Sequence, residues 1–300
     1  MKVLIVRRRR LGHSSTKALS ELLETMGGDS MVWRNDRSFL PVSRRLGDAD
    51  FKVIRWGCTA TIPSTGLSSC RYVQRASGIH AVNDKLGFLQ KLSLLDNQQG
   101  LLPVVTSTGA PPLADNQQWV VRPPTHSQGR NLSVLSATEI MSRSHSILQR
   151  DQWYARPLVQ KKAEYRVFVM NGKAVNVVRK TPSNPSDVAW NVSQGGRFDN
   201  VRWGDWPINV VDLACRISHE TGLNLTGMDI MVDHDDNAWF VEANSAPSLP
   251  YNSDGSHTYR QKCVAKGFAY TLDNPEVFPY TKGETWRNYV HPAIYGGETQ

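Results

Sequence analysis

A predicted β-hairpin in the last third of the chain brings together three side chains that carry oxygen donors. We take Asp235 and Asp236 as its two-residue loop. This loop places Asp229 opposite Glu242, with Asn244 two positions further along the same face. Such a cluster is costly unless a hard cation or hydrogen-bond donors satisfy the oxygens. Two carboxylates and an amide oxygen suit Mg²⁺, which completes its octahedron with water and phosphate oxygens, so the pattern predicts a magnesium site.

A second predicted hairpin, earlier in the chain, carries charged side chains on one face. Its turn is Asn171-Gly172, a strong hairpin signal because both turn positions need positive φ. The register set by this turn puts Glu164 opposite Arg179, with Arg166 on the same face. This face is suited to an anionic ligand, although a cross-strand ion pair would also explain it.

The elements that must position these hairpins begin with a small parallel α/β unit. The apolar pattern predicts a strand at Lys2 to Val6, a helix at Thr16 to Met26 and a strand at Phe51 to Trp56. Asn83 is predicted to cap a further helix from Asp84 to Leu95. The opening of the chain therefore predicts a parallel sheet whose strand-end loops face a ligand.

Further elements complete the predicted fold class, which is α/β in the first lobe and α+β in the others. They are a strand at Trp119 to Arg122, a helix through Ala137 to Leu148 and a helix at Asp205 to Glu220. Breaks in the pattern divide the chain into an N-terminal α/β domain at 1–80, a central lid at 81–158 and a C-terminal unit with the metal site at 159–300.

Composition limits the class of protein. The 300 residues have 40% hydrophobic content and a net charge of +8, and no segment reads as a signal peptide or a membrane span. Residues 1–100 hold 16 Lys/Arg against 8 Asp/Glu, whereas residues 101–300 hold 19 of each. This asymmetry indicates that the first lobe meets something acidic or simply carries solubilising charge. Four cysteines without CxxC spacing are expected as reduced thiols in a cytoplasmic protein.

The metal-binding segment resembles a known family. Gly227-Met228-Asp229 followed by Glu242-Ala243-Asn244-Ser245-Ala246-Pro247 is similar to the G-x-D and E-x-N-x-x-P pattern of the ATP-grasp superfamily of ligases. The match is closest to the branch that contains the ribosomal-protein glutamate ligases, the RimK-like branch. The resemblance implies the ATP-grasp fold, in which an N-terminal parallel α/β lobe is followed by two α+β lobes that clasp ATP.

The same resemblance implies roles for individual residues. Upstream, Asn83-Asp84-Lys85, the strand ending at Arg122, the hinge at residues 159–162 and Glu164-Tyr165-Arg166 fall in the family's order, with Arg122 where the family usually has Lys. The implied nucleotide-binding residues are Lys85, Arg122, Gln128, Gly129, Gln160, Lys161, Lys162 and Arg166. The implied catalytic residues are Arg166, Arg179, Lys180 and Asn191, and the implied metal ligands are Asp229, Glu242 and Asn244.

The expected activity is that of an ATP-dependent ligase that forms C–N bonds. Such an enzyme activates a carboxylate as an acyl phosphate and joins it to an amine, with ATP and one or two Mg²⁺ ions, or Mn²⁺, as cofactors. Its partners would be an acidic or carboxylate substrate and an amine acceptor, which is a small molecule, a peptide or a protein tail, with no membrane. Two alternatives stay open: a kinase for a small molecule, and a basic nucleic-acid-binding protein with an ATP-switched conformation. The oligomeric state, including a homo-oligomer, is also open.

Overall fold

A computed structural model of the chain describes residues 2–9, 12–46, 51–62, 71–106, 116–123, 132–143, 153–184, 186–190 and 195–295. These residues form three β-sheets with helices packed on them. The strands are β1 (Lys2–Arg7), β2 (Asp29–Arg34), β3 (Phe51–Trp56), β4 (Arg71–Val73), β5 (Gln118–Arg122), β6 (Ser133–Ser136), β7 (Tyr154–Pro157), β8 (Lys161–Met170), β9 (Lys173–Thr181), β10 (Arg197–Asn200), β11 (Leu225–Asp233) and β12 (Ala238–Asn244). The helices are α1 (His13–Thr25), α2 (Leu40–Leu46), α3 (Ala76–Asn83), α4 (Lys85–Leu92), α5 (Ala137–Arg143), α6 (Ile208–Ser218), α7 (Tyr259–Asp273) and α8 (Pro292–Tyr295), with single 3₁₀ turns at Trp203–Asp205, His219–Thr221 and Trp286–Asn288.

The first sheet is parallel, with the strand order β2-β1-β3-β4. Its central strand β1 is buried at every position from Val3 to Val6, as expected for a strand covered on both faces. Helix α1 packs on it through Leu19, Leu22 and Leu23. The predicted parallel α/β lobe is therefore present, although α1 begins at His13, three residues earlier than the sequence pattern indicated.

The second sheet is a small antiparallel one with the order β6-β5-β7. It has its own core of buried side chains, among them Trp119, Leu135 and Ile140, which are packed together. Along β6 only Leu135 is buried, whereas Ser133 is exposed and Val134 and Ser136 are half-buried.

The third sheet is antiparallel with the order β10-β9-β8-β11-β12. Helix α6 covers one face with a buried stripe that includes Val210, Val211, Leu213 and Ile217. Because this face is sealed by apolar packing, polar side chains on the opposite face of the same strands are left for a ligand.

The register predicted for the hairpin of β8 and β9 is wrong by one residue. Asn171 and Gly172 form the turn with φ of 47° and 85°, as predicted. A β-bulge between Phe168 and Val169 then inserts one residue on β9, so that Glu164 pairs with Lys180 and not with Arg179. One inserted residue exchanges the two faces of the strand beyond it, so Arg179 lies on the other face and is exposed.

The predicted pairing of Asp229 with Glu242 is confirmed, but by a different route. The turn of this hairpin is five residues long, because Val232 pairs with Ala238. A bulge between Asp229 and Ile230 then restores the alignment that a two-residue loop would have given. The longer turn and the bulge therefore cancel, and Asp229 lies opposite Glu242 as predicted.

No helix in the part of the chain described here is both long and apolar enough to cross a membrane.

Candidate nucleotide and metal site

The predicted metal residues lie in two adjacent rows across the third sheet. Arg166 on β8, Asp229 on β11 and Glu242 on β12 are direct cross-strand neighbours. In the next row, Asn244 pairs with Gly227. A Cβ on Gly227 would lie 2.7 Å from the Cβ of Pro247, so only glycine lets the chain after β12 fold back over this row.

Asp229 is held by two cations. Arg166 donates from Nε to Oδ1 at 2.6 Å and from Nη2 to Oδ2 at 2.7 Å, which is the bidentate fork geometry. Lys180 donates from Nζ to Oδ2 at 2.7 Å. Burial raises the pKa of the Asp229 carboxyl, but the positive charges of Arg166 and Lys180 outweigh burial and the net pKa is well below its ordinary value. The two cations therefore favour the ionised form of this carboxylate.

A chain of buried charges extends from this ion pair along the sheet. Lys180 also donates to Oε1 of Glu164 at 2.6 Å, and Lys161 donates to the other oxygen of the same carboxylate. Lys161 further contacts the backbone oxygen of Val188 at 2.9 Å and the ring of Trp190, whose centroid is 4.4 Å from Nζ. Burial lowers the pKa of Lys161, and Glu164 opposes that shift. The charged network therefore runs without a break from Asp229 to Lys161.

Within the described part of the chain, Glu242 and Asn244 have no close contact with a cation, unlike Asp229. The Nδ2 atom of Asn244 donates to Oε1 of Glu242 at 3.0 Å, and Oε2 of Glu242 is 4.0 Å from Nζ of Lys85. Lys85 itself donates to the backbone oxygen of Ala243. Burial raises the pKa of Glu242, but Lys85 and the hydrogen bond from Asn244 lower it by more, so the net pKa lies below its ordinary value. Glu242 thus presents a carboxylate that is held by one hydrogen bond and one long ion pair.

Lys85 reaches this row because of how α4 begins. Asp84, and not Asn83, is the N-cap: its side chain accepts a hydrogen bond from the backbone N–H of Gly87 at 3.0 Å. Capping fixes the first turn of the helix, so Lys85 at the first helical position points at the end of β12.

The donor set fits a hard divalent cation. Among the described residues there is no cluster of three or more His, Cys, Asp or Glu side chains that could hold a metal. The predicted set needs none, because it consists of two carboxylates and a carboxamide whose oxygens share one face. Glu242 and Asn244 are the members not tied to a close cation, whereas Asp229 would add a remaining lone pair beside Arg166 and Lys180.

A cavity of about 390 Å³ lies between the second and third sheets, at the end of this charged network. Its apolar walls include Val120, Leu158, Val159, Met231 and Val241. Its polar lining includes Arg122, Arg156, Gln160 and Lys161. A slot with apolar walls and a few convergent polar groups is the usual form of a small-molecule site.

The structure places the other predicted residues as follows. Arg122, Gln160 and Lys161 line the cavity. The side chain of Lys162 is turned away to Asp236, at 2.6 Å. Gln128, Gly129 and Asn191 lie outside the described residues.

Two residues that shape the site, Glu164 and Arg156, were not predicted as site residues from the sequence. Glu164 was assigned to Arg179 and in fact joins Lys161 to Lys180. Arg156 on β7 donates to the backbone oxygens of Phe240 at 2.7 Å and Val241 at 3.0 Å, and thereby fastens the second sheet to β12 across the cavity. Neither shows in a pattern of side chains, because Arg156 binds main-chain oxygens and the partner of Glu164 depends on a bulge.

Comparison with known protein families gives a match for part of the chain. Residues 130–260 match the family model of the RimK-like ATP-grasp domain. No curated protein matches the sequence of the chain at a significant level.

Solved structures share its fold at low sequence identity. The ATP-grasp ligase PsnB, complexed with a minimal precursor, has a TM-score of 0.62 at 12% identity over 90% of this chain and 98% of that one. A RiPP-associated ATP-grasp ligase from Chryseobacterium gregarium, in complex with ADP and a leader and core peptide, has a TM-score of 0.59 at 11% identity, covering 94% and 99%. The D-alanine–D-alanine ligase of Bacillus anthracis, complexed with ATP, has a TM-score of 0.59 at 13% identity, covering 91% and 95%.

These likenesses confirm the fold class predicted from the sequence. The proteins that share this fold are named ATP-grasp ligases, which is the class of ATP-dependent enzyme expected from the sequence. The chain therefore has the fold of the ATP-grasp ligases, and its residues 130–260 match the model of the RimK-like ATP-grasp domain.

Proposed function

We propose that this protein is an Mg-ATP-dependent carboxylate–amine ligase, which forms an acyl phosphate and then an amide and releases ADP and phosphate. One observation carries the proposal: the cross-strand row of Arg166, Asp229 and Glu242, with Asn244 beside it, lies on the open face of the third sheet and connects through buried charges to the cavity. This arrangement gives an apolar slot for a base and a cationic, oxygen-lined face for phosphates.

In the proposed first step, the substrate carboxylate attacks the γ-phosphate of ATP and ADP leaves. Two anions meet in this step, so the site needs positive charge more than it needs a base. Arg166 and Lys180 are fixed by Asp229 and Glu164, and Lys85 and Arg122 flank them, so these cations are in place before substrate binds. Glu242, Asn244 and Asp229 would hold Mg²⁺, which would supply the further positive charge that the reacting anions need.

In the proposed second step, the amine attacks the acyl phosphate, and water must be kept out because it would hydrolyse this intermediate. The second sheet forms one wall of the cavity and is fastened to β12 by Arg156. We assign it the role of lid, since the cavity lies between it and the third sheet.

The substrate class is proposed from the family. One structural neighbour is named a D-alanine–D-alanine ligase. Two others were solved in complex with peptides, one with a minimal precursor and one with a leader and core peptide. We therefore propose an amino acid or a peptide side chain as the carboxylate or the amine. In the basic N-terminal segment, Arg7 donates to the backbone oxygens of Arg8 and Arg9 and contacts His13, so its guanidinium is engaged within the first lobe.

A screen of ADP release over amino acids, polyamines and acidic peptides tests the proposal, with wild type compared with Glu242→Ala. We expect Mg²⁺-dependent turnover that the substitution reduces by a factor of about 100 or more, since a lost metal ligand removes charge stabilisation in the transition state. Asp235→Asn, an exposed carboxylate in the turn of the same hairpin, is the matched control and should keep wild-type turnover.

The products distinguish the proposed reaction from a kinase. A new amide with free phosphate supports a ligase, whereas phosphate retained on a hydroxyl of the substrate indicates a kinase. Unchanged turnover in Glu242→Ala would refute the metal site.

A further inference from the structure

Arg260, the second residue of α7, is a buried cation with no hydrogen-bond acceptor at Nε or Nη1 in the part of the chain that the structure describes. Its side chain belongs to a residue that is 4% exposed. The Nε and Nη1 atoms are shielded from solvent, and neither finds a hydrogen-bond acceptor among the described residues. Buried donors are nearly always paired, so an unpaired guanidinium needs an explanation.

The guanidinium lies on the same face of the third sheet as the proposed phosphate site. Its central carbon is 5.6 Å from the ring centroid of Phe168 and 5.4 Å from that of Phe198. The ring of Phe198 is shared with Arg166 at 5.3 Å and with Lys180 at 5.8 Å. Three cations thus converge on one aromatic ring.

Charge balance separates Arg260 from the other two cations. Arg166 and Lys180 are both neutralised by Asp229, and Lys180 also by Glu164. Burial, together with the neighbouring positive charge of Arg166, lowers the pKa of the Arg260 guanidinium to about 10. Among the described residues no carboxylate forms an ion pair with Arg260, so this cation lacks an anionic partner.

The residues on either side of Arg260 in the chain fix the start of α7. Thr258 caps α7 by a reciprocal pair of hydrogen bonds with Gln261, and Nε2 of Gln261 donates to the backbone oxygen of Leu249 at 3.0 Å. The segment after β12 and the start of α7 are thereby locked together, so the guanidinium is positioned before any ligand arrives.

We propose that Arg260 binds a carboxylate group of the substrate, beside Arg166 and over the ring of Phe198. The inference rests on the proposed ligase function and names one contact of its substrate. A carboxylate fits the gap because a planar guanidinium fork recognises two oxygens at once. The phosphates of the nucleotide already have Lys85, Arg122, Arg166 and Lys180, so Arg260 is the cation left for a second anionic group.

The first test is the stability of the protein without ligand, measured by thermal unfolding of wild type, Arg260→Met and Lys262→Met. If Arg260 is kept for binding, Arg260→Met removes a buried unpaired charge and should raise Tm by about 2 °C or more. Lys262 is exposed on the same helix and its substitution should leave Tm unchanged. A fall in Tm for Arg260→Met would show that the residue serves packing against Phe168 and Phe198, and would overturn the proposal.

The second test uses acetate as the probe, with chloride and inorganic phosphate at equal ionic strength, in the presence and absence of Mg-ADP. We expect acetate to raise the Tm of wild type and of Lys262→Met above the value in chloride, to lose this effect in Arg260→Met and to keep part of it in Arg260→Lys. No acetate effect in wild type, an effect with phosphate only, or an effect that survives in Arg260→Met would each contradict the carboxylate assignment. Neither test needs turnover, so failure here differs from failure of the ADP-release screen.

Discussion

Lys180 is the side chain on which the charged face depends most. It is among the largest fully buried side chains of the described chain and lies between the carboxylates of Glu164 and Asp229. Burial lowers the pKa of its ammonium group, but the two carboxylates outweigh burial and raise the net pKa. Removing a charge of this kind leaves its partners buried and uncompensated, which costs more than the pair itself contributes.

The two neighbouring basic residues of β9 should therefore respond differently to the same substitution. We expect Lys180→Met to lower the free energy of unfolding by about 3–5 kcal/mol, because it leaves buried carboxylates short of a cation. Arg179→Met removes an exposed charge from the opposite face and should change it by no more than about 0.5 kcal/mol. Urea unfolding of both variants measures the difference. Equal losses would mean that the register observed for this hairpin is incorrect.

At the scale of single elements, two β-bulges set which side chains meet. The residue types of the site were readable from the sequence, since Asp229, Glu242 and Asn244 follow a spaced pattern across one turn. The partner of Glu164 was not, because a bulge costs little locally and leaves no mark in an alternating pattern. The five-residue length of the turn between β11 and β12 was not predictable from the sequence either. The side chain of Asp233 stabilises this turn by accepting hydrogen bonds from the N–H groups of Asp235 and Asn237.

The contact of β7 with β12 is the element-scale feature on which the cavity relies. Arg156 is buried, its pKa is lowered to about 10 by burial, and it donates to two backbone oxygens of β12. Bonds from a charged donor to a buried carbonyl are stronger than neutral ones, and leaving the carbonyls unpaired would add their desolvation cost. Arg156 therefore fixes the distance between the two walls of the cavity.

Substituting Arg156 should loosen the nucleotide pocket more than the fold as a whole. We expect Arg156→Met to weaken binding of ATP by a factor of about 10 or more, as measured by calorimetry, because about 1.5–3 kcal/mol of charged hydrogen bonding is lost between the walls. Arg216 also binds two backbone oxygens, those of Asn97 and Gln99, but at the exposed surface of α6. Arg216→Met is the control and should bind ATP as wild type does; an equal loss in both variants would show that Arg156 has no special role at the cavity.

At the scale of the whole molecule, the parallel sheet and the third sheet are joined by a side chain that imitates a strand. Both groups of the Gln74 carboxamide pair with the backbone of Leu225, at 2.7 Å and 2.8 Å, and its own N–H donates to Asn224. The sequence led to the architecture through its motifs, although nothing in it marks this contact. The domain limits at 80 and 158 stay a prediction, and the predicted residues Gln128, Gly129 and Asn191 lie outside the described part of the chain.

We propose that Mg²⁺ and the phosphates of ATP are held on the open face of the third sheet. The most direct measurement is a crystal structure of the protein with Mg²⁺ and a non-hydrolysable ATP analogue. We expect a metal ion at about 2.1 Å from oxygens of Glu242 and Asn244. We also expect the adenine in the cavity lined by Val159 and Gln160, with the terminal phosphate against Arg166. A nucleotide bound elsewhere, or a metal ion with no ligand from Glu242 or Asn244, would contradict the account.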